Sequence, residues 1–152
     1  MQKECEGCFI LTLVNQLKND LEIEFSNHIE YLDIIIKEKY ELYPEVSYPC
    51  IYIEEIENVD NERYHDETEQ VSSLGYVFTI NAEQSETLTA VQNVRNIANI
   101  IDTYFKGERY KSLRRLGGLV IKPLPGDDTV MTGYLTYNCD VEIKTNTIYR
   151  RK

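Results

Sequence analysis

YLTYNCDVEI, residues 134–143, decides how the rest of the chain is read. From Leu135 onward the apolar side chains Tyr137, Cys139, Val141 and Ile143 take every second position, and Thr136, Asn138, Asp140 and Glu142 fall between them. Period two, with one apolar and one polar face, is the pattern of a half-buried antiparallel strand. Such a strand needs neighbours, and the chain supplies them upstream. CIYIEEI, residues 50–56, puts Ile51 and Ile53 on one face. GYVFTIN, residues 75–81, does the same with Tyr76, Phe78 and Ile80. GGLVIKPLPGDD reads as a short strand bounded by Gly117, Gly118, Pro123 and Pro125, with PGDD as a turn.

Two helices accompany these strands. Phe9, Ile10, Leu13, Val14, Leu17 and Leu21 recur at steps of three and four, one stripe of an amphipathic helix. SETLTAVQNVRNIANIIDTYFKG, residues 85–107, places Leu88, Val91, Val94, Ala98, Ile101 and Phe105 on one face. Ser85 is its expected cap and Gly107 its expected left-handed end. Gln92, Arg95, Asn99, Asp102 and Lys106 form the expected solvated face. Residues 22–46 fit either a helix, through Ile29, Leu32, Ile36, Tyr40 and Tyr43, or a strand at YLDIII. The expected fold is α+β: an antiparallel or mixed sheet of about four strands, with helices packed on one face, in a single domain over residues 1–152.

Composition bounds the function. The 152 residues carry a formal charge of -10, which opposes sequence-independent affinity for nucleic acid, because phosphate binding needs clustered Lys and Arg. No apolar run is long enough to span a bilayer, and MQKECEGCF lacks a signal-peptide layout, so a cytoplasmic site of synthesis is expected. Cys5 and Cys8 have the spacing of a zinc or redox pair but lack a second close pair or a preceding thioredoxin-like strand. The expectation is therefore no metal and no cofactor, with a small enzyme or binding domain built on CEGC as the alternative. Cys50 and Cys139 read as small buried hydrophobes. His28 and His65 lack ligand spacing, and no GxSxG, Walker or GxGxxG motif occurs, so no catalytic residue is expected.

Charge is unevenly placed. Glu57–Glu69 holds six acidic residues, among them Asp60, Glu62, Asp66, Glu67 and Glu69, against the single Arg63. A polar run this long, about residues 57–73, reads as a mobile arm between two strands, either a solvated loop or a binding arm. From Lys106 to Arg115 the sign flips: Lys106, Arg109, Lys111, Arg114 and Arg115 stand against Glu108 alone. The chain closes in IYRRK, with Tyr149, Arg150 and Arg151 as a candidate terminal contact.

In order and character, YPEVSYPCIYIEEIEN, the acidic arm, GYVFTINAE, a helix ending in YFKGERY and a last strand finishing in IYRR resemble the tail terminator family of long-tailed bacteriophages, also called tail completion or minor capsid proteins. The likeness covers roughly Tyr40 to Arg151. It implies a small α+β virion protein that closes as a ring, typically sixfold, on the end of the tail tube. Such a ring stops tube growth and offers the head-side connector, or head completion protein, a docking face. It implies assembly in the host bacterial cytoplasm and a place at the head-tail junction. No catalytic residue is implied. A neck or head-closure protein is the neighbouring alternative. Heterologous ring contacts need two different patches that fit each other, and the acidic arm and basic island supply opposite signs.

Overall fold

The computed structural model describes the backbone of residues 6–39, 47–64, 70–110, 113–142 and 147–148, and the side chains of residues 14–39, 47–56, 74–108, 110 and 113–139. The first described element is helix α1 (Glu6–Phe25), whose described stripe of Val14, Leu17, Leu21 and Phe25 is buried. The helix closes where Ser26 N–H donates to the Glu22 and Ile23 carbonyls and Ser26 Oγ donates to Ile23 O at 2.6 Å. A 3-10 turn (Ile29–Tyr31) follows, and then strand β1 (Ile35–Glu38). The ambiguous stretch therefore contains a strand. Ile36 is buried, whereas Ile29 and Leu32, which fit the helical spacing, lie in solvent; Tyr40 and Tyr43 lie outside the described residues.

Strands β2 (Cys50–Tyr64) and β3 (Gln70–Ala82) pair antiparallel, and their ladder continues through Glu57, Asn58 and Val59 against Leu74, Ser73 and Ser72. The acid-rich segment was expected to leave the sheet near residue 57. Its backbone instead stays in strand to Tyr64 and rejoins at Gln70, because the ladder is made by main-chain groups and does not require apolar side chains. Residues 65–69 lie outside the described residues.

Helix α2 (Ala90–Phe105) starts later than the sequence suggested. Thr89 is its cap: Thr89 Oγ1 accepts from Gln92 N–H at 3.1 Å, and the Gln92 side chain accepts from Thr89 N–H at 2.9 Å, a reciprocal capping box. Ser85 instead closes a preceding turn, its hydroxyl accepting from Leu88 N–H at 3.2 Å. At the other end Lys106 is the cap, in right-handed helical conformation, and Gly107 does not take the left-handed conformation expected of it. A second 3-10 turn (Glu108–Tyr110) follows.

Strand β4 (Arg114–Leu124) and strand β5 (Asp127–Glu142) are joined by Pro125-Gly126, with Gly126 at φ 87, the residue order of a type II turn. Gly117 and Gly118 lie inside β4 and do not bound it. The register slips between Leu116 and Val120, and Gly117 takes φ 69, so the pair forms an irregularity within the strand. A two-residue strand β6 (Thr147–Ile148) pairs with Val141 and Glu142. The sheet order is β1-β2-β3-β5-β4; β1 runs parallel to β2 and the other pairs are antiparallel. The fold is thus a mixed α+β sheet, with α1 and α2 against it.

The covered face carries Ile51, Ile53, Leu74, Tyr76, Phe78, Ile80, Leu135 and Tyr137, all buried with the helix stripes. Phe78, Phe105 and Tyr137 meet at centroid distances of 5.1–5.7 Å, two of the three pairs edge-on, which suits the ring quadrupoles. Gly133 lets α2 approach β5: a Cβ there would lie 2.4 Å from Val94 Cγ1. Cys139 is buried on this face, as the alternation of the quoted stretch predicts. Cys50 is buried on the opposite face, where Asn81 Nδ2 donates to its sulfur at 3.8 Å and burial pushes its thiol pKa up. Cys5 and the side chain of Cys8 lie outside the described residues.

Candidate functional site: an open edge and an uncovered face

Strand β4 forms one edge of the sheet and is attached to it through β5 alone. It is eleven residues long, and none of its side chains is buried. Leu116 and Val120 are 46% and 49% exposed, large apolar groups that a closed monomer would cover. The opposite edge is the four-residue β1. Long, exposed, apolar edges invite pairing with another strand, and soluble proteins blunt them. β4 carries partial blunting in its Gly117-Gly118 irregularity, in Pro123, which has no N–H to offer, and in Arg114, Arg115 and Lys122.

The register extends the edge into a surface. Val120 lies beside Tyr134, Tyr134 beside Thr79, and Thr79 beside Tyr52. One row along, Leu116 lies beside Thr136, Thr136 beside Val77, and Val77 beside Glu54. These residues share the face opposite the buried core row, and each is partly or fully exposed. Tyr134 is 38% exposed, and Ile56, further along β2, is 41% exposed. Glu54 is held by Lys39 Nζ at 3.2 Å. This part of the face is a lightly charged, mixed apolar and hydroxyl surface that meets β4 along its edge; toward the other end of the sheet the same face buries Cys50, Asn81 and Thr132.

The described parts of the two charge windows fall at the far end of the same sheet. Asp60 and Glu62 have their backbone in β2, and Arg109 has its backbone in the second 3-10 turn, but their side chains lie outside the described residues. Asp66, Glu67, Glu69, Lys111, Tyr149, Arg150 and Arg151 lie wholly outside them. Arg114 opens β4 beside Asn138 and is exposed. Arg115 is engaged within the chain: its Nη1 is 3.4 Å from Asp102 Oδ2. Asp102 also accepts from Tyr137 O–H at 2.7 Å and lies 3.5 Å from Lys106 Nζ. Its position on the polar side of α2 suggested a solvated residue; its side chain is only 18% exposed because it sits where the helix meets the β4 edge. Within one chain β2 and β4 are three strand spacings apart, about 14 Å. The acidic and basic strands therefore do not lie side by side inside a single copy.

Sequence reasoning missed the uncovered face and the exposure of Leu116 and Val120. The apolar residues of LRRLGGLV, residues 113–120, mark a strand, but nothing within the stretch tells that only one strand lies beside it. Among the described residues no three metal-ligating side chains gather, and no helix is long and apolar enough to cross a membrane. No protein-family model and no curated protein matches the sequence.

Proposed function

We propose that the chain is a virion structural subunit of the tail terminator kind. Copies close as a ring, sixfold in the family it resembles, on the end of a phage tail tube, ending tube growth and presenting a docking face to the head-side connector. The observation that carries this reading is β4, an eleven-residue edge strand with Leu116 and Val120 in solvent. An edge of this kind is an aggregation hazard in an isolated domain and a joining element in an assembly, where a neighbouring copy covers it. The two edges differ in length and charge, so the contact is heterologous, and heterologous contacts close into rings when the rotation permits. The acidic β2–β3 extension and the basic residues at the start of β4, apart within one copy, can meet between copies and fix their register. The subunit carries out no chemistry in this role and needs no cofactor. Its partners are itself, the tube protein and the connector.

Electron microscopy of tails assembled without the chain tests the proposal. Tubes of uncontrolled length are expected, and adding the purified chain back should restore a uniform length. Tails of normal length in its absence would refute the reading.

A further inference from the structure

The side of the sheet opposite β4 carries a second exposed apolar surface. Ile23, Ile29 and Leu32 lie where α1 passes through the first 3-10 turn into β1, and they are 66%, 80% and 57% exposed, further into solvent than the other large apolar groups among the described residues. Tyr31, between Ile29 and Leu32, is turned inward: it is buried, and its O–H donates to Asn93 Oδ1 in α2 at 2.8 Å. The turn is thereby pinned to the core with its apolar neighbours left outside, so their exposure belongs to the folded chain. Charge on the two edges is opposite. Residues 29–38 carry Glu30, Asp33 and Glu38, all exposed, against Lys37 alone. Residues 114–124 carry Arg114, Arg115 and Lys122 and no acid. One edge is thus apolar and acidic, the other apolar and basic.

We propose that the β4 edge of one copy is covered by the β1 edge of the next, with Val120 and Lys122 set against the turn that bears Ile29, Leu32 and Asp33. The inference rests on reading the chain as a subunit that assembles with itself, and it names the surface that receives β4. Within one copy the two edges are four strand spacings apart, about 19 Å, so they cannot meet there. Two β4 edges paired about a two-fold axis would bring Arg114 and Arg115 close to Lys122, like charge on like. The β1 edge brings acids instead, and apolar groups for Leu116 and Val120. Strand sense fits as well. β1 is parallel to β2 and each later pair in the sheet is antiparallel, so β4 runs opposite to β1. A ring whose axis follows the strands keeps that sense from copy to copy, and β4 then adds to the neighbour's sheet as an antiparallel strand. The later residues of β4 face the earlier residues of β1: Val120 and Lys122 lie toward Leu32 and Asp33, and Arg114 lies toward Glu38 and the acidic part of β2 beyond it. Such a contact joins two different edges, the type that builds rings.

Complementation between two altered full-length chains tests this. Ile29→Asp with Leu32→Asp alters the β1 side, and Leu116→Asp with Val120→Asp alters the β4 side. All four side chains are exposed, so the fold is kept, and far-UV circular dichroism checks this. In sedimentation velocity at rising concentration, each altered chain alone should associate more weakly than wild type by at least about tenfold, because the contact would bury an unpaired carboxylate. Mixed, the two should form a one-to-one pair that grows no further, since one chain keeps its β1 side and the other its β4 side. A second β1-side variant, Glu30→Lys with Asp33→Lys, leaves the apolar groups in place and should weaken association in the same direction. Absence of the pair on mixing overturns the inference. Association of both β1-side variants at the wild-type level also overturns it, since another surface would then cover β4. The tube-length assay separates this contact from the ring reading: if the Ile29→Asp, Leu32→Asp chain restores a uniform length to tails assembled without wild type, the ring stands and this contact falls.

Discussion

Strands β3 and β4 belong to one sheet and both mix apolar with polar residues, yet they have opposite surroundings. In β3, Leu74, Tyr76, Phe78, Ile80 and Ala82 are at most 1% exposed. β3 has a strand on each side and helices over its apolar face. β4 has one neighbour, and its apolar residues Leu116 and Val120 stand about half in solvent. The lesson is that apolar character marks what a strand can bury, while its place in the sheet decides whether the same chain buries it. In β3 that free energy is used for folding; in β4 Leu119 and Ile121 still pack against the core, while Leu116 and Val120 leave theirs unused in the single copy, where the proposed assembly would draw on it.

This contrast can be broken by mutation, and the largest effect is expected inside. Phe78→Ala should cost about 3–5 kcal/mol in urea denaturation, because it empties the space between Phe105 and Tyr137. A cost below about 1 kcal/mol would mean that the covered face is not the core. Next is Gly133→Ala. The new methyl would meet Val94, a β-branched helical residue with little freedom to turn away, and overpacking of this sort costs about 1–3 kcal/mol. An unchanged midpoint would show that α2 sits further from β5 than described.

Alkaline titration sharpens the comparison from the buried side. Burial first, then the neighbouring carboxylates Glu55 and Asp102, raise the hydroxyl pKa values of Tyr76 and Tyr137 well above the usual tyrosine value near 10. The folded state thus keeps protons that the unfolded chain releases. The stabilising contribution is complete below about pH 10 and falls as pH rises beyond it. Denaturation midpoints at pH 9 and pH 11 should drop for wild type and drop less for Tyr137→Phe. The smallest effect on folding belongs to the edge. Leu116→Ala should change monomer stability by no more than about 0.5 kcal/mol, while sedimentation velocity with tube present shows weakened assembly. A large loss of monomer stability with intact assembly would reverse the roles assigned to the two strands.

Much of the fold was legible because it rests on periodicity. The Val14–Leu21 stripe, the alternation of β3 and the run from Leu135 to Cys139 all read correctly, since one face of each is covered. What was hidden depends on contacts the sequence does not display. β1 was obscured by an apolar cluster that satisfies both periods. Ser85 and Thr89 are both sound helix caps, and only the reciprocal bond with Gln92 selects the later one. Asp102 sits on the polar side of its helix yet faces Tyr137 and Arg115 across a boundary. The polar residues of β2 beyond Ile56 look like a loop because main-chain pairing leaves no trace in side-chain pattern. The open edge was the least legible, since exposure of Leu116 and Val120 follows from strand order, which no local pattern encodes.

Hydrogen exchange resolved to β4, measured on the free chain and on the chain assembled with tail tubes, tests the central claim most directly. The account expects the amides of residues 114–124 to exchange readily in the free chain and to become strongly protected on assembly, while those of β3 are protected in both states. Equal exchange of β4 in the free and assembled chain would contradict it, because the edge would then remain open in the very structure it is proposed to join.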